Sequence, residues 1–277
     1  MKNLFFSIAA IAVCAGSCAP KNEAGLKGWD LQWQEEFNGH QLDSTVWSLP
    51  PVEGMTGWHY GCVADERTWS LEDGIFTIKG IKTDDEEYGV RGYITTSALT
   101  FGKKAFPLAV EGQRSRMDVR ARMSKAAGWQ PSIWMTEPTG YPEFAEIDVM
   151  EQINFEDRVY QTIHTQQSIQ DPRRPNAKFV AIDLDPTEWH VYSVVVDCEK
   201  LVYMIDGEVT MEYSAEEFPD EYPFPGHSYC LHLQSIFGTG WTNNEYRGDG
   251  PRPVPNGEGV PCFVSYDWCR FYTQPIK

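Results

Sequence analysis

Three acidic residues, Glu146, Asp148 and Glu151, lie close together in one short, otherwise apolar segment. Carboxyl groups at such a spacing can perform acid–base chemistry, because an ionised one can attack while a protonated one donates its proton. Like charges disfavour each other's ionisation, so we expect at least one of the three pKa values to be raised. A calcium site or a solvated acidic surface would use the same residue types, and these two alternatives stay open at this point.

The secondary structure of this segment decides whether the carboxyl groups converge. In an α-helix Glu146 and Glu151 would lie about 140° apart around the axis. In a strand side chains alternate, so Glu146 and Asp148 share a face, but strict alternation would place Met150 rather than Glu151 beside them. One extra residue, a β-bulge near Val149-Met150, would return Glu151 to that face. We therefore predict a bulged strand that carries all three acids.

The remainder of the chain predicts an all-β fold without a linker that would divide it. Short alternating runs rich in β-branched and aromatic residues favour strands, and Cys198-Glu199-Lys200 and Asp206-Gly207 favour hairpin turns. Many short strands without alternating helices are typical of an antiparallel sandwich or barrel. The clearest predicted strands are Ile75 to Gly80, Ser115 to Arg122, Val191 to Asp197 and Leu201 to Gly207.

The composition excludes some classes of partner. The 277 residues contain 40 Asp plus Glu against 23 Lys plus Arg, which gives a formal net charge of −17. Nucleic acids and anionic membrane surfaces are therefore disfavoured, since clustered Lys and Arg bind both. Aromatic residues make up 13% of the chain, more than a core of this size needs, which favours stacking on sugars or other flat ligands.

The first residues resemble a bacterial export signal. A positive charge precedes an apolar run that is too short to span a bilayer, which takes roughly 20 apolar residues. Small residues ending in Cys18 resemble a lipobox, Cys14 is the weaker acceptor, and an ordinary cleaved signal is the alternative. We expect a lipoprotein signal peptide over 1–17, a tether over 18–28 that begins at lipidated Cys18, and one folded domain over 29–277. Such a lipoprotein would lie at the outer membrane or cell surface, facing outside or the periplasm, with the lipid as its only membrane contact.

Five cysteines follow Cys18, and an odd number cannot all pair. Their spacing is not typical of a zinc site. We expect mostly buried free thiols with at most one disulfide, whose pairing stays open. The five are Cys62, Cys198, Cys230, Cys262 and Cys269.

The acidic segment resembles the ExDxxE signature of glycoside hydrolase family 16, in the bulged form of its laminarinase-like branch. The resemblance covers Trp29 to Tyr272. One matching segment, Gly128 to Met135, has one residue more than the family's G-x-W-P-A-x-W-M pattern. The other matching segments are Trp33 to Asn38 with Leu42-Asp43 and Trp47, Val119 to Met123, Tyr160 to His164, Trp189 to Tyr192 with Tyr203 to Gly207, and Val264 to Tyr272.

The resemblance implies a concanavalin A-like β-jelly roll, a sandwich of two antiparallel sheets with a concave sugar-binding cleft. It makes 29–277 a single catalytic domain that hydrolyses internal β-linkages with retention. Glu146 would be the nucleophile, Glu151 the general acid and then the base, and Asp148 would tune the protonation of both. We expect a monomer that requires no cofactor, and a structural calcium stays open.

The resemblance also implies substrate-binding residues. Trp129 and Trp134 match tryptophans that line the family's cleft, and His164 matches a position close to the acid/base. Gln234, with His232 and Ser235, departs from the common glucanase sequence. Weaker candidates for outer subsites are Trp58, His59, Tyr60 and Trp241, and an acidic glycan would need cations such as Arg91 or Arg247 near the cleft.

The substrate is predicted from one further segment. Gln152 to His164 resembles family members from gut Bacteroidetes that cut internal β-galactosidic bonds in mucin-type O-glycans. We therefore expect an endo-β-1,4-galactosidase that acts on poly-lactosamine chains. The alternative within the family is an endo-β-1,3(1,3-1,4)-glucanase. The alternative outside it is a non-catalytic carbohydrate-binding surface lipoprotein, against which the three acids argue, because a binding module has no use for mutually repelling carboxylates.

Overall fold

The computed structural model describes residues 26–50, 61–84, 92–138, 145–174, 176–244 and 255–276. The predicted signal peptide, Cys18 and most of the tether lie outside these ranges. In the described part, no helix is long and apolar enough to cross a membrane. The strands are β1 Asp30–Glu35, β2 Trp69–Glu72, β3 Ile75–Lys82, β4 Tyr93–Ile94, β5 Ser97–Leu99, β6 Phe106–Pro107, β7 Gln113–Met123, β8 Trp129–Thr136, β9 Ala145–Glu151, β10 Arg158–Thr165, β11 Lys178–Asp183, β12 His190–Val196, β13 Lys200–Ile205, β14 Glu208–Ser214, β15 Ser228–Phe237 and β16 Cys262–Pro275. The short helices are α1 Gln166–Gln170, α2 Gly240–Asn244 and a 3-10 turn at Glu66–Thr68.

The strands form two antiparallel sheets. One has nine strands, in the order β14-β13-β12-β7-β16-β3-β2, with β1 paired to β16 and β4 to β3. The other has seven, in the order β11-β10-β9-β8-β15-β5, with β6 paired to β15. This architecture confirms the predicted all-β jelly-roll sandwich.

The core lies between the two sheets, and alternation along each strand fills it. On β7, Met117, Val119 and Ala121 are fully buried, whereas Arg116 and Arg120, at the alternate positions, point away from the core. On β9, Ile147 faces the same core from the other sheet. The side of the seven-stranded sheet that points away from the core carries the acidic residues, and we call it the carboxylate face.

Local turn chemistry agrees with the predicted hairpins. Strands β12 and β13 pair antiparallel across Cys198-Glu199, and β13 and β14 pair across Asp206-Gly207. Both turn residues have positive φ, 52° at Asp206 and 87° at Gly207. That geometry matches a two-residue hairpin turn, which glycine adopts without steric cost.

The cysteines behave largely as expected. The five described cysteines are free, four of them are buried, and Cys198 is partly exposed. The expectation of mostly buried thiols is confirmed, and these five form no disulfide.

Candidate active site

An interior strand of the seven-stranded sheet, β9, presents the three carboxyl groups on one face. Glu146 pairs with Thr136 and Asp148 with Trp134 on β8. Between Asp148 and Glu151, β9 contains two residues where β8 and β10 each contain one. The extra residue is the predicted β-bulge, and it confirms that all three acids share a face.

Buried side chains hold the bulge in place. A bulge leaves a residue outside the strand ladder, so its backbone groups need other partners. The amide of Gln161, which is fully buried, donates to the carbonyl oxygen of Val149 at 3.1 Å. The hydroxyl of Thr210 donates to the other end of that amide, and Tyr203, from the opposite sheet, donates to the carbonyl of Thr162 at 2.6 Å. The irregular part of β9 is thus braced from within the core.

Glu151 has a partner that the sequence did not reveal. Gln130 on β8 donates from Nε2 to Glu151 Oε1 at 2.9 Å, and its own Oε1 accepts from the hydroxyl of Thr239 at 2.8 Å. Gln130 lies two residues from Ser132, which pairs with Glu151, so alternation places both β8 side chains on the carboxylate face. The relay from Thr239 through Gln130 orients the Glu151 carboxyl group.

Glu146 and Asp148 share a neighbour on β10. His164 pairs directly with Glu146, and its Nε2 lies 3.5 Å from Asp148 Oδ2. Asp148 is 4% exposed, because it lies at the centre of the group, between the neighbours on β8 and β10. The structure therefore brings the predicted His164 together with the acids, although beside Glu146 and Asp148 rather than Glu151.

Burial makes these carboxyl groups hold protons near neutral pH. Burial raises the pKa of Glu146 to about 7. Burial and then the charge of Glu146 raise the pKa of Glu151 to about 7, against a smaller lowering from the Gln130 hydrogen bond. Burial and the two glutamate charges raise the pKa of Asp148 well above its usual range. The raised pKa expected from mutual repulsion is confirmed, with burial as the larger cause.

The same residues bear on the question of a bound cation. Glu146, Asp148 and His164 each bring one potential ligand atom to within 4.8 Å of the others. Calcium prefers oxygen ligands, whereas imidazole with carboxylates suits a transition metal. This group of two carboxylates and an imidazole does not resemble a calcium site. A structural calcium elsewhere in the protein stays a prediction.

Trp134 lies beside the acids with its ring held from two directions. Its indole stacks on His232 with ring centroids 4.3 Å apart, and its Nε1 donates to Gln234 Oε1 at 3.0 Å. The imidazole of His232 in turn hydrogen-bonds Thr136 at 2.8 Å. Gln234 is 3% exposed, and its Nε2 donates to Cys62 Sγ at 3.8 Å, so this side chain lies within the sheet packing rather than on open surface.

The prediction that Trp129 lines the cleft is wrong. Its side chain is fully buried and packs on Phe237 with ring centroids 4.9 Å apart. A Cβ at Gly80 would lie only 2.5 Å from the Trp129 ring, which shows how closely the core encloses it. The reason is parity: Trp129 and Trp134 are five positions apart on a regular strand, so they face opposite sides, and Gln130 occupies the cleft-side position.

The remaining candidates divide between the described and undescribed residues. Trp241 on α2 is partly exposed and packs edge-on against Tyr160, with ring centroids 4.7 Å apart. Because Tyr160 pairs with Glu151, Trp241 lies close to the site. Trp58, His59, Tyr60, Arg91 and Arg247 lie outside the described residues.

Comparison with known proteins agrees with this geometry. The family model "Glycosyl hydrolases family 16" matches residues 111–249, half of the chain, including the three acids. A keratan-sulfate endo-1,4-beta-galactosidase of Sphingobacterium multivorum is 23% identical over 267 residues, 90% of this chain and 56% of that protein. A beta-glucanase of Rhodothermus marinus is 25% identical over 263 residues, 88% of this chain and 85% of that protein. The chain thus spans little more than half the length of the galactosidase.

Solved structures share the fold. The laminarinase catalytic domain from Thermotoga maritima MSB8 superposes with a TM-score of 0.72 at 24% identity, covering 89% of this chain and 98% of that one. The laminarinase from Rhodothermus marinus gives a TM-score of 0.73 at 22% identity, covering 90% and 98%. With the family model matched across the acidic strand, the chain belongs to the glycosyl hydrolases of family 16.

Proposed function

We propose that this protein is a retaining endo-β-glycosidase. The observation that carries the proposal is the convergence of Glu146, Asp148 and Glu151 on one face of β9. Their β8 partners Thr136 and Ser132 are four residues apart on a regular strand, so the two outer backbones are roughly 13 Å apart. To act on one glycosidic bond, the two glutamate side chains must lean inward from that separation. Carboxyl groups about 5–5.5 Å apart are typical of double displacement.

The first half-reaction divides the work between the two glutamates. Burial raises the pKa of both to about 7, so near neutral pH the two glutamates share protons, and one form has Glu146 ionised with Glu151 protonated. In that form Glu146 attacks the anomeric carbon while Glu151 protonates the departing glycosidic oxygen. The products are a free sugar end and a glycosyl ester on Glu146.

The second half-reaction reverses the proton's path. Glu151, now ionised, takes a proton from water, the resulting hydroxide attacks the anomeric carbon, and Glu146 leaves as a carboxylate. Two inversions restore the original configuration. Asp148 lies between the pair, and its raised pKa favours the protonated form, whose hydroxyl can donate to the Glu146 carboxylate between steps.

The substrate we propose is an internal β-1,4-galactosidic bond in poly-lactosamine chains of mucin-type O-glycans. Two observations support it: the relative named as a keratan-sulfate endo-1,4-beta-galactosidase, and the segment Gln152 to His164. The beta-glucanase relative and the laminarinase structures favour a second candidate, an endo-β-1,3(1,3-1,4)-glucanase. The candidate from another class is a non-catalytic carbohydrate-binding surface lipoprotein, which would have no use for three acids on one face.

A glycan panel tests both the activity and the substrate. The protein without its first 28 residues is incubated with poly-N-acetyllactosamine, desulfated keratan, mucin O-glycans, laminarin and barley β-glucan, and the products are sized. We expect internal cleavage of the lactosamine chains. Glu146→Gln should lose activity by several orders of magnitude, while Glu208→Gln, an exposed change on the opposite sheet, should not.

Two further measurements test the mechanism. Proton NMR early in the reaction should show the β-anomer first, and an α-anomer would refute double displacement. Azide added to Glu146→Ala should yield an α-glycosyl azide, whereas azide added to Glu151→Ala should yield the β-azide, because only the latter variant still forms the glycosyl ester.

The cellular predictions accompany this proposal. We propose that the full chain is an exported lipoprotein anchored through Cys18 and acts as a monomer without a cofactor. Cys18→Ala should abolish labelling by a radioactive fatty acid and release the protein from membranes. Activity should survive EDTA, and light scattering should report a single chain.

A further inference from the structure

One row of paired residues crosses the whole carboxylate face, perpendicular to the strands. It passes through Asp148, the middle acid, and we call it the floor row. In order across the sheet it contains Leu99 on β5, His232 on β15, Trp134 on β8, Asp148 on β9, Thr162 on β10 and Phe179 on β11.

Under the proposed function, the positions of the two glutamates set the direction in which the substrate crosses the sheet. Glu146 and Glu151 lie on either side of it along β9, and both must reach the same glycosidic bond. The cleaved bond therefore lies over Asp148. The direction along β9 is occupied by the two glutamates, so the sugars on either side of the bond extend across the strands, over the floor row.

The residues of the floor row differ in how far their side chains are exposed to solvent. Leu99, His232 and Thr162 are 8%, 3% and 5% exposed. Phe179 is 61% exposed, the most exposed of the large apolar side chains in the described part of the chain. A single exposed apolar residue is normal on a protein surface, but this one is aromatic and lies in line with the acids.

The strand around Phe179 leaves the ring accessible on the carboxylate face. Val180 and Ile182 point into the core, so alternation sends Phe179 and Ala181 to the other side. Ala181, its neighbour on that face, is small and exposed. Phe179 pairs with Thr162, which pairs with Asp148, so its backbone is two strand spacings, roughly 9.5 Å, from the middle acid.

We propose that Phe179 is the stacking platform of a sugar subsite over β10 and β11. The separation from Asp148 exceeds the length of one pyranose ring, so Phe179 contacts a sugar beyond the one next to the cleaved bond. Its ligand is a β-linked pyranose with an apolar C–H face; galactose has one, on the side opposite its axial hydroxyl. This inference rests on the proposed function, and it predicts that the extra subsite at Phe179 makes the enzyme bind long chains more tightly than short ones.

The test compares Phe179→Ala with the parent on poly-N-acetyllactosamine oligosaccharides of graded length. We expect KM for the longest chains to rise about 3- to 10-fold, with kcat/KM on the shortest cleaved oligosaccharide unchanged. Phe179→Trp, which keeps an aromatic ring, should keep the KM of the parent for the longest chains. Val209→Ala, an equally apolar exposed position on the edge strand of the opposite sheet, serves as the control and should behave as the parent.

Three results would overturn the inference. Unchanged kinetics at every length would show that the ring does not contact the sugar chain, and an equal rise in KM at every length would place its effect at the cleaved bond. If the parent cleaves no glycan in the panel, the proposed function fails and this inference fails with it. The first two results leave the proposed function intact.

Discussion

Gln130 donates a 2.9 Å hydrogen bond to the carboxyl group of Glu151 from the neighbouring strand. The bond favours the charged form of Glu151, so it opposes the burial that raises the pKa of the same group. It also fixes which oxygen of Glu151 is left to face the substrate. The acid/base group is thereby oriented by a residue that takes no part in proton transfer.

Gln130→Leu should move the alkaline limit of activity upward. Loss of the donor raises the pKa of Glu151 further, so the general acid stays protonated to a higher pH. We also expect kcat/KM at neutral pH to fall about 10- to 100-fold, because a hydrogen bond to a charged group is lost. A pH profile of kcat/KM measures both. Gln32→Leu, at an exposed position on β1, is the matched control. If the alkaline limit of activity in Gln130→Leu does not move, Gln130 does not set the pKa of Glu151.

Gln161→Leu should damage the active site from inside the core. The variant leaves the carbonyl of Val149 without its donor, so the bulge loses a support and Glu151 loses its position. We expect at least a tenfold loss of kcat and about 1–3 kcal/mol lower stability, measured by urea unfolding. Thr210→Val, which removes only the hydroxyl that orients Gln161, should show a smaller loss of kcat. Full activity in both variants would show that the bulge keeps its shape without Gln161 and Thr210.

The two tryptophans of β8 should separate binding from stability. Trp134→Ala removes a partly exposed ring beside the acids and should raise KM with little change in unfolding free energy. Trp129→Phe loosens the packing on Phe237 and should cost about 1–3 kcal/mol of stability with KM unchanged. Kinetics and denaturant unfolding of both variants check this contrast. A raised KM for Trp129→Phe with unchanged stability would show that Trp129 contacts the substrate after all.

The buried acids should make the protein less stable as pH rises. The pKa of Glu146 is about 7 in the folded chain and near 4.5 when unfolded, so the folded state binds its proton more tightly. This stabilisation is complete below pH 4.5 and is lost as pH rises through 7. Glu146→Gln, which stays neutral, should therefore raise Tm by a few degrees at pH 8 and much less at pH 5. An equal change in Tm at both pH values would contradict the raised pKa, and Glu208→Gln is the control.

The net charge should disfavour sulfated chains. With a net charge of −17, the protein should cleave desulfated keratan with a lower KM than keratan sulfate. Raising the ionic strength should reduce the difference in KM between the two polymers, because salt screens charge repulsion at the surface. Faster cleavage of the sulfated polymer at low salt would instead indicate cations close to the cleft.

The parity of side chains along a strand is readable from residue order. For that reason the sequence predicted a bulged strand at β9 and the shared face of Glu146, Asp148 and Glu151. The hairpins after β12 and β13 were predicted from their turn residues instead. The same rule places Trp129 in the core, since two residues five apart on a regular strand cannot face the same way.

The tertiary structure alone decided which residues support the acids. Gln130 and Gln161 lie 21 and 12 positions from the groups they bind, and Phe179 reaches the floor row only through the register of three strands. Register follows from how two whole sheets pack over one core, which no local pattern encodes. The sequence by itself determined the reacting groups, and the packing of the sheets determined how those groups are oriented, how far they are buried and therefore where they titrate.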